Sequence, residues 1–123
     1  MKPIKLAIGA LVVVAFMQGP AVGAELSGYT VEKLLEPCVE GDNDSRWGAA
    51  AEAECEQYIK GFTDAVVMLE SAIEGQICLP AGGNRADEIR WAFMRWAHKN
   101  YGDRGMPAAD GLMAVLKESF PCQ

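Results

Sequence analysis

Four cysteines, Cys38, Cys55, Cys78 and Cys122, constrain this 123-residue chain more than any other feature, because of what stands before them. Lys2 and Lys5 give a basic start, Leu6 to Met17 is an apolar run of twelve residues, and Gln18 to Ala24 is polar and small, ending Val22-Gly23-Ala24. That layout predicts a secretory signal peptide over residues 1–24, cleaved between Ala24 and Glu25. Twelve residues rise only about 18 Å as a helix, too little to cross a bilayer. No cysteine stands near the cleavage point to accept a lipid, so no membrane attachment is expected after cleavage. In an oxidising compartment an even set of cysteines pairs, and each bridge adds roughly 2–4 kcal/mol to a domain too small to rely on its core alone. Metal binding is the competing use of four thiols. No CxxC pair is present and His98 is the only histidine, so neither a metal nor another cofactor is expected.

Residues 25–123 suffice for one domain. Removing Lys2 and Lys5 leaves nine basic residues of the eleven against seventeen acidic ones, a net charge of −8. Such a domain repels phosphate backbones, which argues against nucleic acid, and attracts basic protein surfaces.

Helical periodicity dominates the rest of the chain, and no strand-like alternation competes with it. Val31, Leu34, Leu35 and Cys38 form a first stripe, with Thr30 as N-cap and Glu32 at the positive helix end. Pro37 is expected to shorten or kink this helix near Glu36. Val39 to Gly48 is loop by composition; its Asp42 and Asp44 lack the further ligands of a calcium loop. Ala49 to Glu74 forms the longest predicted helix, burying Cys55, Tyr58, Ile59, Phe62, Val66, Leu69 and Ile73. Gly61 in its middle costs roughly 1 kcal/mol against alanine, and close approach of a neighbouring helix is its expected justification. Asn84 caps a third helix through Tyr101, with Ile89, Phe93, Trp96, Ala97 and Asn100 inward. Pro107 opens a fourth, with Leu112, Val115, Leu116 and Phe120 inward. The fold class is all-α, a small disulfide-linked bundle of about four helices.

Geometry selects among the three ways of pairing four cysteines. Short loops make successive helices antiparallel neighbours, which puts Cys38 and Cys55 at one end of the bundle and Cys78 and Cys122 at the other. Cys55 and Cys78 are 23 residues apart, roughly 35 Å along a helix and far beyond the ~5.5 Å that a disulfide allows. Pairing Cys38 with Cys78 would join opposite ends. The expected bridges are Cys38–Cys55 and Cys78–Cys122.

No catalytic constellation emerges. His98 has no identifiable partner, paired thiols are not nucleophiles, and the acidic pairs Glu52/Glu56 and Asp87/Glu88 fall on predicted solvent faces. The third helix does carry Trp91 and Met94 on a second side, interleaved with Arg90, Arg95 and Lys99. Trp91 and Arg95 either form an exposed aromatic–arginine patch, of the kind that anchors interfaces, or Trp91 packs under the Val39–Gly48 loop.

Cys55-Glu56-Gln57-Tyr58-Ile59-Lys60-Gly61-Phe62-Thr63-Asp64-Ala65 resembles the C-x-x-Y-I-x-G-x-x-D-A segment of the Rap/Tai immunity proteins. Cys78-Leu79-Pro80, the closing Ser119-Phe120-Pro121-Cys122 and the helix-one Cys38 are similar to that family's other landmarks. Pro37 and the long aromatic third helix depart from its pattern. The resemblance implies a small helical periplasmic protein that binds and blocks a peptidoglycan-cleaving amidase effector delivered by type VI secretion, protecting the producing cell. It also implies a tendency to act as a homodimer, and structural roles for the four cysteines, Tyr58, Gly61 and Asp64. It transfers no partner contacts. Residue types alone nominate Asp42, Asp44, Arg46 and Trp47 of the loop, then Trp91 and Arg95. The alternative is a periplasmic acid-stress chaperone, and a third reading, a small hydrolase, would rest on His98.

Overall fold

A computed structural model of the chain describes residues 25–69 and 75–123. Four α-helices, and no strand, occur among those residues: α1 Val31–Asn43, α2 Gly48–Met68, α3 Arg85–Lys99 and α4 Ala108–Ser119, with a 3₁₀ turn at Tyr101–Asp103. The expected signal segment and the final predicted turns of α2, Ile73 included, lie outside the described residues. Among those described, no helix is long and apolar enough to cross a membrane.

Helix α1 begins as its sequence dictates. The Thr30 hydroxyl accepts the Lys33 amide at 3.3 Å, and Val31, Leu34 and Cys38 are fully buried. Pro37, however, neither ends the helix nor moves to its edge; it is buried within it. Proline removes the N–H that would bond the carbonyl four residues back, here that of Lys33. The Tyr29 hydroxyl donates to that carbonyl at 3.3 Å instead. The helix therefore continues to Asn43, and the predicted ten-residue loop contracts to a turn at residues 44–47.

That turn makes α1 and α2 an antiparallel hairpin. Asp44 Oδ1 accepts the backbone N–H groups of Arg46 and Trp47 at 2.7 and 2.8 Å, and Gly48 N donates to the Asp44 carbonyl at 2.8 Å. Two glycines permit the close approach. A Cβ on Gly41 would lie 2.9 Å from Glu52 Cβ, and one on Gly48 would lie 2.8 Å from the Gly41 carbonyl oxygen. Cys38 and Cys55 face each other in the same register and are bridged, Cα–Cα 5.0 Å, so this disulfide joins the helices along their length rather than at a tip. On α2 the fully or nearly buried stripe is Cys55, Ile59, Thr63 and Val66, with Tyr58 and Phe62 half-buried. Leu69, expected inside, is exposed. Thr63 takes an inward place because its hydroxyl donates to the carbonyls of Ile59 and Lys60 within its own helix, leaving nothing unpaired.

Helix α3 is covered by α1, α2 and α4, so Met94 is buried along with Ile89, Phe93, Trp96 and Ala97. Asn84 occupies the N-cap position without a side-chain bond. Helix α4 lays Leu112, Val115 and Leu116 into the core. Its start is tied to the start of α1 by Val31 N to the Met106 carbonyl (2.9 Å) and Ala108 N to the Tyr29 carbonyl (2.8 Å). At the other end Cys78–Cys122 closes the chain, Cα–Cα 4.9 Å, beside Cys78 N donating to the Phe120 carbonyl at 2.8 Å. Both expected pairings are present.

Besides Gly41 and Gly48, the glycine that a neighbour demands is not Gly61, which is exposed with open space where a Cβ would stand. It is Gly111, where a Cβ would collide with Val31 Cγ2 and lie 3.4 Å from the Trp96 ring. Gly61→Ala should therefore stabilise by up to about 1 kcal/mol, whereas Gly111→Ala should cost about 1–3 kcal/mol through overpacking. Urea unfolding of the two variants checks both signs.

Candidate partner-binding surface

The upper part of α3 is organised by Arg90, which is buried although fully charged. Its guanidinium donates to the Cys38 carbonyl (3.2 Å) and to Asp42 (3.3 and 3.4 Å) on α1, and to Asp87 Oδ1 (2.9 Å) on its own helix. Glu52 Oε1 of α2 lies 3.8 Å away. Burial disfavours the charged guanidinium; the Asp87 hydrogen bond and the charges of Asp42, Asp87 and Glu52 outweigh it and raise the Arg90 pKa above its ordinary value. The charged form thus contributes its stability below the ordinary arginine pKa wherever those carboxylates are ionised.

This network reassigns several residues. Asp42 is an ion-pair partner of Arg90, and Asp44 builds the turn, so both have structural work inside the chain. Glu52 and Asp87 belong to the same network and are half-buried rather than simply solvated. Glu56 approaches them, the three carboxylates lying within 4.8 Å of one another, and is itself paired with Lys60 at 3.2 Å. Arg46 and Trp47 stand out at the apex of the turn, with Trp47 63% exposed. The contracted turn does not cover Trp91, which remains 42% exposed. The cation over the Trp91 ring is Arg90, 5.2 Å from its centroid, in the place expected for Arg95, which is exposed. Asp42 and Trp91 therefore share one guanidinium, which joins the hairpin end to the aromatic face of α3.

The other nominated positions lie elsewhere. Tyr58 packs on Tyr29 with ring centroids 5.1 Å apart, and Asp64 and Gly61 are on the exposed side of α2. His98 is exposed, with Nδ1 3.4 Å from Arg104 Nη2. Sequence reasoning missed Arg90 because it sits among other cations on an amphipathic helix. Its only available signal was a position one residue from Ile89, on the edge of the inner stripe.

Residues 30–122 match the family model described as Rap1a immunity proteins, a span that includes all four helices and both disulfides. The chain belongs to that family. No curated protein matches it, and no solved structure does.

Arg90→Met should destabilise by about 1–3 kcal/mol, since it takes a donor from the Cys38 carbonyl and the cation from Asp42, Glu52 and Asp87, whose carboxylates are each more than a third exposed and can regain water; no loss in urea unfolding would contradict this. Burial raises the phenol pKa of Tyr29 and Tyr58 above 10.0, with Glu54 adding for Tyr29. A folded-state pKa above the unfolded one stabilises fully below about pH 10 and is lost as pH rises through the folded value. Alkaline absorbance titration should therefore show two phenols ionising later in the folded protein than in urea.

Proposed function

We propose that this chain is exported by residues 1–24 to the periplasm, where it acts as an immunity protein, binding a secreted peptidoglycan-cleaving amidase and blocking its cleft. Membership of the Rap1a immunity family supports the immunity role. The amidase and its delivery by type VI secretion follow from the motif resemblance. The observation that carries the mode of action is the turn at residues 44–47, where an exposed indole and an exposed guanidinium with no ion pair among the described residues, Trp47 and Arg46, project from a hairpin held by Cys38–Cys55. A large aromatic on a rigid support loses little conformational entropy on binding, which is the physics of an interface anchor. Asp44 and Asp42 position that anchor, and Trp91 with Arg95 extends the surface along α3. The inhibitor works by occupying the cleft, with no chemistry of its own, and self-association into a homodimer is compatible with it.

An acid-stress chaperone would have to release apolar surface on acidification. Two disulfides and a core in which Phe93, Ile89 and Ile59 are fully enclosed oppose that release.

Co-expression with candidate periplasmic amidases, scored by lysis, tests the role: the chain should suppress lysis by one of them and bind it selectively at neutral pH. Arg46→Glu with Trp47→Ala should then weaken binding about 30-fold or more, the scale of a hot-spot loss. Unchanged affinity would remove the turn from the interface, and failure to protect against any such amidase would remove the role.

A further inference from the structure

The outer face of α1 forms one wall of an open groove of about 790 Å³ that ends at Asp44, the first residue of the Trp47 turn. Half-buried Val39 supplies the more open part of its apolar floor, with Leu35 beneath at 6% exposure, and His98 with Arg104 stand across it. Glu32, Glu36 and Glu40 line the α1 side at successive i, i+4 positions, all exposed. Like charges at that spacing repel along a helix. Glu40 also lies towards the negative end of α1, whose last turn contains no basic residue.

Among the described residues, Arg104 is the one arginine or lysine lining the groove with these glutamates. None of the three glutamates takes part in an ion pair among the described residues. The Lys33 ammonium donates to the Gly28 carbonyl. Arg104 lies 4.5 Å over the Tyr101 ring and donates to the Ala97 carbonyl. An apolar floor beside three glutamates, faced by a single arginine, is complementary to one kind of occupant: a basic segment with an aliphatic side.

We propose that this groove docks an amphipathic helical segment of the partner protein, with lysine or arginine side chains over Glu32, Glu36 and Glu40 and aliphatic side chains on Leu35 and Val39. The glutamates step about 6 Å apart along α1, the step between basic residues four apart on a facing helix. Because the groove runs into the turn at Asp44, a partner held at Trp47 can continue along it. This inference rests on the immunity reading for its partner, but the groove's chemistry does not.

The test uses the full exported chain and a synthetic leucine–lysine amphipathic helical peptide, with a leucine–glutamate peptide as control. The lysine peptide should bind, shift the NMR signals of Leu35 and Val39, and weaken as salt rises. Glu36→Gln with Glu40→Gln should weaken it at least tenfold. Glu25→Gln with Glu118→Gln, an equal change of charge elsewhere, should leave it within twofold. Circular dichroism verifies that both variants keep the fold. Equal losses in the two double variants, equal binding of the glutamate peptide, or no binding would overturn the proposal. Once an inhibited amidase is in hand, unchanged affinity of the Glu36/Glu40 variant would eliminate the groove while leaving immunity standing. Peptide binding in the groove with no amidase inhibited would do the reverse.

Discussion

Arg90 keeps a full positive charge where only 3% of its side chain meets water. Withdrawing a guanidinium from water costs several kcal/mol unless carboxylates and carbonyls replace its hydration shell. The surrounding architecture supplies those replacements from three helices. Helix α1 must continue beyond Pro37 to bring Asp42 within reach, and Tyr29 makes that continuation tolerable by serving the carbonyl proline leaves unbonded. Helix α2 must approach closely enough to bring up Glu52, which Gly41 and Gly48 permit. The Cys38–Cys55 bridge holds the two helices in that register, and the Cys38 carbonyl is itself an acceptor for the guanidinium.

Much of this fold was legible in the sequence because helical burial and cross-linking are strongly patterned. The stripes of α1, α3 and α4 and the Thr30 cap follow from spacing, and the disulfide pairing follows from antiparallel packing. The misreadings share a cause: each depended on a particular side-chain contact that residue spacing alone does not show. Pro37 reads as a breaker unless the Tyr29 hydroxyl is known to stand at Lys33. Gly61 and Gly111 are indistinguishable by residue type, and only the third dimension shows that Val31 and Trp96 crowd the second and nothing crowds the first. Thr63, absent from the expected stripe, is buried because its hydroxyl satisfies itself on its own helix, and Leu69 stands exposed at the helix C-cap.

The candidate surface was legible in part. Trp47 and Trp91 are conspicuous as large aromatics among charged residues, and both remain accessible. Their polar neighbours could not be assigned from composition. An aspartate in a Gly-Asp-Asn-Asp run fits a partner contact, a turn former or an ion-pair partner equally well, and Asp44 and Asp42 prove to be the last two. Rigidity at the hairpin end therefore comes from residues that a sequence reader would assign to binding. Family membership fixes the broad role, and the groove and turn are features of this chain's own side chains.

The two bridges differ in how far solvent reaches them. Cys38 and Cys55 have no solvent exposure at all, whereas Cys78 lies on the surface. Thiol–disulfide exchange begins with a thiolate reaching a sulfur atom in line. An external reductant or oxidoreductase therefore meets the outer link first, freeing the C-terminal tail while the α1–α2 hairpin stays sealed. Oxidative repair would then have a single partner choice left, so a half-opened molecule regains its native connectivity without reshuffling.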